Sequence, residues 1–412
     1  GQLGYIIPHK FFNAEYGAGL RKLIADQKSL RNILNFGHQQ VFSKATTYTC
    51  LLFLSREPNE SFRLSNISNL EKFRAGMFAE ATQFNLSEVS GSPWIFVGSR
   101  FAALLSKKTH LKDIGELVRM FVGVQTDGDA VFILHESDES NDLVSAYSKS
   151  LETRVTVEKS MLRPLLKGSV NLDRYEIKDD GKRLIFPYKP ESGNELAPWN
   201  LIKEGCPKLA KYLEDQRSKL EKRGGGTLGD AYYGYVYKKN HSRMLGPKIL
   251  CPSIARGAAF ALDDTGSFFF TGSGSGGGGA YGIRLNDDQK MSLFYLLGIL
   301  NSQVANKYFR DTSSPFRGGW IALTKQHIVR FPIRPIDFDN PADVAQHDKL
   351  VSLVERMLDL QQQKAGEGNP NTLKQLETQI TATDRQIDRL VYELYQLTEE
   401  EIALVEQGAE ST

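Results

Sequence analysis

The sequence predicts an α/β segment that supplies part of an open sheet, then an α+β domain, then a C-terminal helical hairpin. Three observations predict this. The opening residues alternate short apolar runs with a helical period, the middle interleaves β-like runs with Gly and Asp turns, and the end carries a heptad seam. The corresponding boundaries are 1–110, 111–336 and 337–412. A chain of 412 residues suggests roughly two or three domains. A composition of 41% hydrophobic and 24% charged residues, with only 3 Cys, excludes collagen, a disulfide scaffold and wholesale disorder.

Leu3–Ile7 is a continuous apolar run closed by Pro8, which reads as a buried parallel strand. Tyr16–Gln27 carries Leu20, Leu23 and Ile24 at helical spacing, and Ile33–Phe36 and Tyr48–Leu54 read as two more strands. A doubly wound sheet needs about five or six strands, so this is expected to be the second half of one, from a chain that begins inside a domain, or else a segment that packs in a way the sequence does not dictate. Ser90-Gly91-Ser92-Pro93 reads as a turn before an apolar patch at Trp94–Val97. Leu111–Phe121 reads as a helix and Val131–Leu134 as a strand after the turn Asp127-Gly128-Asp129.

Val155–Val157 and Arg183–Phe186 read as strands, Trp199–Lys222 as one helix ending at Gly224-Gly225-Gly226, Gln289–Phe309 as another, and Ile328–Ile336 as strand-like. Leu373, Leu376, Ile380, Thr383, Ile387, Leu390 and Leu394 recur at alternating steps of three and four. Leu350, Leu353, Met357 and Leu360 offer a matching face upstream of Gly366–Pro370, hence the hairpin. Its seam is filled either within the chain or by another protein.

No stretch approaches the ~20 apolar residues that span a bilayer, and Gly1-Gln2-Leu3-Gly4 lacks the form of a signal peptide. A cytoplasmic protein with no membrane partner is expected. Cys50, Cys206 and Cys251 stand far apart without a CxxC partner and read as small buried hydrophobes. The seven His form no HxH or HExxH, so no metal is expected. A nuclease-like Asp173…Glu176-Ile177-Lys178 is discounted because its acids are too close in sequence for separate strands.

The net charge of +2 conceals an asymmetry. Residues 231–334 hold 13 Lys and Arg against 5 acids, whereas 335–412 hold 6 against 16. A basic segment beside an acidic helical one fits a polyanion-binding surface with a protein-facing element, or simply two solvated faces. The run 272–279 follows the strand-like Phe268–Phe270 but leads to another strand without the Lys-Ser/Thr of a P-loop, so it reads as a flexible loop. Tyr232, Tyr233, Tyr235 and Tyr237 precede Lys238, Lys239, Arg243, Lys248 and Arg256. Rings alternating with cations suit nucleic acid, and alternating Tyr equally suits a half-exposed strand. The segment from Arg310 through Arg317 to Trp320 is a second candidate contact loop.

These segments together carry a resemblance. Leu3-Gly4-Tyr5-Ile6-Ile7-Pro8-His9-Lys10-Phe11-Phe12, Leu20-Arg21 and Val41–Thr49 resemble the strands and loops that follow the catalytic motif of type IIG restriction-modification enzymes and related adenine-N6 DNA methyltransferases. Gln125–Phe132, Arg163–Gly168 with Phe186-Pro187-Tyr188, Pro247-Lys248-Ile249 and Leu297–Ser302 leading to Gly318-Gly319-Trp320 resemble the family's TaqI-like target-recognition domain, and Leu390–Ile402 its closing helix. The sequence has no Pro-Pro pair, so the family's Asn/Asp-Pro-Pro-aromatic motif, which holds a flipped adenine, is missing, as is its glycine-bearing cofactor loop.

The resemblance implies a partial methyltransferase sheet over 1–110, a recognition domain over 111–336 and a hairpin over 337–412, in a chain that reads DNA without catalysing by itself. S-adenosylmethionine belongs to the full-length parent and not to this chain. The partners expected are double-stranded DNA and the parent's upstream catalytic region. Lys238, Lys239 and Lys248 would meet phosphates; Arg243, Arg256, Arg310 and Arg317 would enter the grooves; Tyr188 and Trp320 would stack, wedge or be buried. A specificity subunit like those of type I systems is the alternative, although it requires an internal repeat that the sequence lacks; a nucleotide enzyme built on the glycine run is a second.

Overall fold

A computed structural model describes residues 1–12, 14–37, 39–42, 47–67, 69–77, 81–91, 94, 100–190, 192–272, 278–313 and 316–406. The turn at Ser92-Pro93, the patch at Ile95–Val97 and the centre of the glycine run therefore lie outside the described residues. The chain divides into two compact units, 1–108 with 310–322, and 109–309 with 323–412.

In the first unit, β1 (Gln2–Pro8), β2 (Leu30–Asn35), β3 (Thr49–Ser55), β4 (Ser61–Asn66) and β5 (Thr82–Asn85) form one sheet in the order β1-β3-β2-β4-β5. Only β2 and β4 pair in parallel; β1 and β2 both run antiparallel to β3. The expected buried parallel strand is thus an antiparallel edge strand, with Leu3 48%, Tyr5 52% and Ile6 44% exposed. An apolar run reports hydrophobicity and not its cover. α1 (Ala18–Asp26) forms where the period predicts, but it buries Ile24 and Arg21 while leaving Leu20 and Leu23 exposed. Arg21 donates to the Phe11 and Ala14 carbonyls at 2.6 and 2.7 Å and to Gly91 O at 3.1 Å, which closes the connection between β1 and α1 over a core of Phe11, Phe12, Ile33, Leu52, Phe62 and Trp94.

The second unit begins with β6 (Lys112–Asp113) and β7 (Val118–Val122), where a helix was expected over Leu111–Phe121. The same spacing of apolar residues serves a strand once Val118, Met120 and Phe121 find cover. Then come β8 (Ile133–Ser140), β9 (Leu143–Ser148), β10 (Thr153–Glu158), β11 (Leu162–Leu166), β12 (Leu172–Asp173), β13 (Glu176–Ile177), β14 (Arg183–Ile185), β15 (Lys248–Pro252), β16 (Ile254–Ala255), β17 (Ala261–Asp263), β18 (Phe269–Phe270) and β19 (Ala280–Leu285). A one-turn helix, Asp129–Phe132, replaces the start of the strand expected at Val131. The two larger sheets, β10-β9-β8-β14-β11-β18 and β17-β15-β19-β7, close over a core that includes Phe132, Leu165, Phe186, Tyr188, Leu213, Tyr235 and Phe269. The tight hairpin of β12 and β13 does place Asp173 and Glu176 on separate strands, so sequence proximity was no ground for discounting them; among the described residues no group of three or more metal-ligating side chains occurs.

The helix expected over Trp199–Lys222 is three: Trp199–Gly205, Pro207–Asp215 and Arg217–Leu220. Pro207 has no N–H to continue the first and instead opens the second. The one expected over Gln289–Phe309 is Leu293–Leu300 and Gln303–Thr312, because Asn301 turns its side chain to both the N–H and the carbonyl of Phe260. The strand expected from Ile328 is the short helix Lys325–Ile328 followed by a two-residue strand, Pro332–Ile333. All three cysteines are buried and unbridged.

Helices Pro341–Gly366 and Pro370–Leu394 each start on an Asn cap and a Pro. Their buried residues include Leu350, Val354, Met357 and Leu360 on one and Leu376, Thr383, Ile387, Leu390 and Leu394 on the other. Arg174, between β12 and β13, donates to Asp384 at 2.7 and 3.2 Å and to the Asn301 carbonyl at 2.6 Å. Beside it Asp388 accepts the Gln303 N–H at 2.8 Å, and burial lifts its carboxyl to about 7. Among the described residues, no helix is long and apolar enough to cross a membrane.

Gly298 lets helix Leu293–Leu300 lie against Pro341–Gly366: a Cβ there would come 2.8 Å from Val354 and 3.0 Å from Leu350. Gly298→Val should lower stability by about 1–3 kcal/mol through overpacking, read as a lower urea midpoint. An unchanged midpoint would mean that the two helices can part without cost.

Candidate nucleic-acid interface

The expected surface is anchored from inside by a buried arginine. Arg223 donates to the Thr126 and Gly234 carbonyls at 2.8 Å each, to Tyr232 O at 2.5 Å and to Leu220 O at 3.1 Å, with its guanidinium 4.8 Å from the Phe132 ring centre. This ties residues 232–234 to the turn at 126–128. The tyrosines that follow are core rather than stacking platforms. Tyr232, Tyr233 and Tyr235 are at most 5% exposed, and Tyr233 and Tyr235 donate their hydroxyls to the Ala197 and Ile185 carbonyls at 2.9 and 2.5 Å. Tyr188 is fully buried, accepts the Tyr235 N–H on its hydroxyl at 2.7 Å, and is pushed up to about 12 by that burial. Of the roles expected of Tyr188, burial is the one it takes, which excludes stacking on a base or wedging between bases. His241 sits among Phe186, Tyr188 and Tyr235 with ring centres at 5.4, 4.7 and 5.3 Å, and burial lowers it to about 4.

Tyr237 is the first ring of the series to reach solvent. Lys238 and Lys239 follow it, exposed, and Asn240 then turns the chain in the left-handed region at φ 61°, donating to Val122 O at 3.2 Å. Arg243, also exposed, donates to the Asn240 side chain at 3.1 Å and lines a recess of about 520 Å³. Arg119 on β7, Lys325 and Arg330 share that recess with Asp113 and Glu116. Burial first and Glu116 second raise Asp113 above the usual carboxylate range, against the pull of Arg330. Four cations over two carboxylates, with Val118, Met120 and Val329 among the lining, make a cavity suited to an anionic ligand.

Lys248 is a correction. It is fully buried, donating to Asp263 at 2.5 Å and to Met244 O at 2.6 Å, so it cannot meet a phosphate. Burial lowers its ammonium below the usual range despite Asp263, whose oxygens also accept the Ser267 and Phe268 N–H groups. Arg256 is exposed. Arg310 and Trp320 are half-buried and belong, with Arg317, to the first compact unit; the Arg317 side chain lies outside the described residues. The structure thus groups Lys238, Lys239 and Arg243 with one another. Arg119, Lys325 and Arg330 were missed because they come from two segments far from Arg243 in sequence, and no local pattern marks them.

Comparison with known proteins adds the decisive observation: residues 163–333 match the family description of a TaqI-like C-terminal specificity domain, and residues 1–42 that of an Eco57I restriction-modification methylase. The stretch 163–333 is similar to a TaqI-like specificity domain. The chain's relatives are type II enzymes of restriction-modification systems. The restriction enzyme and methyltransferase RM.Eco57I of Escherichia coli is 25% identical over 96% of this chain and 41% of its own length. The type II methyltransferase M.PaeR7I of Pseudomonas aeruginosa is 22% identical over 81% of this chain and 55% of its own length. The chain therefore spans about half the length of these relatives. In fold it is similar to the type IIL restriction-modification enzyme MmeI, solved in complex with DNA, at a TM-score of 0.58 and 10% identity over 98% of this chain and 48% of that one. Within the specificity domain lie Lys238, Lys239, Arg243, Lys325 and Arg330, whereas Arg119 precedes it.

Two outcomes follow for the specificity domain. Lys248→Ala leaves the Asp263 carboxylate buried and uncompensated, so it should cost about 3–5 kcal/mol in urea unfolding; a cost below about 1 kcal/mol would show that water reaches the site. His241 is neutral in the fold, so its contribution is whole above the unfolded value of 6.5 and is lost as pH falls toward about 4. Thermal stability should drop over that window by about 3 kcal/mol, and His241→Phe should remove that part of the drop.

Proposed function

We propose that this chain is the sequence-reading portion of an adenine-N6 DNA methyltransferase or of a combined restriction-modification protein. The matched specificity domain at 163–333, carrying a cationic recess, supports the reading most directly. In this reading residues 1–110 are the end of the catalytic sheet, 111–336 the recognition domain and 337–412 a helical hairpin. Lys238 and Lys239 neutralise phosphates and set register. Arg243, with Arg119, Lys325 and Arg330 beside it, approaches the base edges, and Arg256, Arg310 and Arg317 remain further groove candidates, with Trp320 as a wedge.

Catalysis belongs to the parent's upstream region. Among the described residues β1 pairs on one edge only and exposes Leu3, Tyr5 and Ile6, a surface on which that region would dock. S-adenosylmethionine would be bound there as well. The connection after β1 offers it no glycine-rich cradle: at Gly17 a Cβ would come 2.3 Å from Phe11 O and 2.8 Å from the Arg21 guanidinium. No step through the cofactor is therefore assigned to this chain.

A duplex titration at about 50 and about 200 mM salt tests the reading. Affinity should fall steeply with salt, and Lys238→Ala with Lys239→Ala should reduce the log–log slope by about two on every sequence. Arg243→Ala should instead relax preference at one base pair by about 1–3 kcal/mol. Failure of the chain to bind duplexes even with the catalytic region supplied would overturn the reading.

A further inference from the structure

The six-stranded sheet carries a second group of cations, none of which lines the recess. His135 on β8 stands opposite Tyr147 on β9. Lys149 directly follows β9, exposed, one residue past the buried Ser148, and its charge acts on His135. Lys182 immediately precedes β14, whose Arg183 pairs with Leu134 on one side and Pro164 on the other, and the Lys182 carbonyl accepts the Leu165 N–H at 3.0 Å. Lys167 follows two residues after Leu165. One basic side chain on β8 and three from residues flanking β9, β11 and β14 lie near enough to act on one another's charge.

Their surroundings leave that charge largely unanswered. Among the described residues, no acidic side chain pairs with Lys149 or Lys167, while Lys182 is met by Asp180 and feels Asp179, and Glu136 is the acid acting on His135. Burial first, then Lys149, Lys182 and Lys167, lower His135 to about 4, and burial followed by Lys167 and Lys149 lowers Lys182. Next to Lys167, Gly168 adopts φ +38° where a Cβ would come 2.5 Å from Gly278 O and 2.8 Å from Gly279 O. The end of the glycine run is thereby packed backbone to backbone beside the lysine, where a side chain would force them apart. Cations held this close gain most from a ligand that bridges them with several anionic oxygens.

We propose that His135, Lys149, Lys167 and Lys182 form a phosphate-binding patch that takes the sugar-phosphate backbone of duplex DNA, apart from the recess that holds Arg119 and Arg243. The patch rests on the DNA-reading function proposed above. It grips without reading bases: lysines act as point charges, and His135 gains a proton when a phosphate cancels the field of its neighbours. Binding therefore takes up a proton, and affinity rises as pH falls.

The test is titration of the full chain with a labelled duplex. The double variant Lys149→Ala with Lys167→Ala should lose affinity on the order of ten-fold at low salt and about two from the log–log salt slope, equally for all sequences. Its melting temperature should stay level or rise, since the substitutions relieve repulsion. The unsubstituted chain should bind more tightly at about pH 5.5 than at about pH 7.5, and His135→Gln should flatten that dependence. Duplex binding by the unsubstituted chain with an unchanged slope in the double variant, or an unchanged pH dependence in His135→Gln, overturns the patch alone. Absence of duplex binding by the unsubstituted chain overturns the DNA-reading function, and the patch with it.

Discussion

The arrangement of the cationic surface depends on the burial of one guanidinium. Among the described residues no carboxylate forms an ion pair with Arg223, although the Asp127 charge acts on it; carbonyls of Leu220, Thr126, Tyr232 and Gly234 take its N–H groups, and the Phe132 ring covers it. Desolvating a charge is costly, and four hydrogen bonds to backbone dipoles offset that cost only if all four carbonyls stay where they are. The turn after β7 and the segment leading to Tyr235 are therefore fixed relative to each other. From there the order passes through the Tyr235 N–H to Tyr188 and through the Tyr235 hydroxyl to Ile185, so Tyr237, Lys238, Lys239 and Arg243 emerge from a rigid base.

The chemistry of the surface follows from what that base excludes. Three of the four alternating tyrosines are consumed as packing, which leaves cations, one ring and an asparagine turn to face solvent. The positive excess of residues 231–334 is not spread evenly: Lys248 is spent on Asp263 inside, Arg284 donates to the Leu245 carbonyl, and Arg243 combines with charges from β7 and from Lys325 and Arg330. A basic sequence segment and a basic surface are thus different objects.

Local periodicity was legible where it answers to a local force. The helical period around Ile24, the strands β2 and β3, and the three-and-four spacing from Leu376 to Leu394 all fall where the side chains require. Where cover comes from afar the sequence misleads. Leu3–Ile7 looks buried and lies on an edge; Leu111–Phe121 looks helical and extends; Tyr232 to Tyr237 look like a half-exposed strand and are mostly core. The candidate site was half legible for the same reason. Lys238, Lys239 and Arg243 share a segment, whereas Arg119, Lys325 and Arg330 meet Arg243 only through tertiary folding.

Arg174 gives the specificity domain an obligation beyond its own borders. Its guanidinium leaves the matched region to clasp Asp384 on helix Pro370–Leu394, beside an Asp388 whose carboxyl burial lifts to about 7. The matched region and the helix therefore share one electrostatic joint. An exchange of that region between relatives that stopped at residue 333 would set a foreign loop against Asp384 and Asp388, so a transferable unit must extend through the helices that answer Arg174.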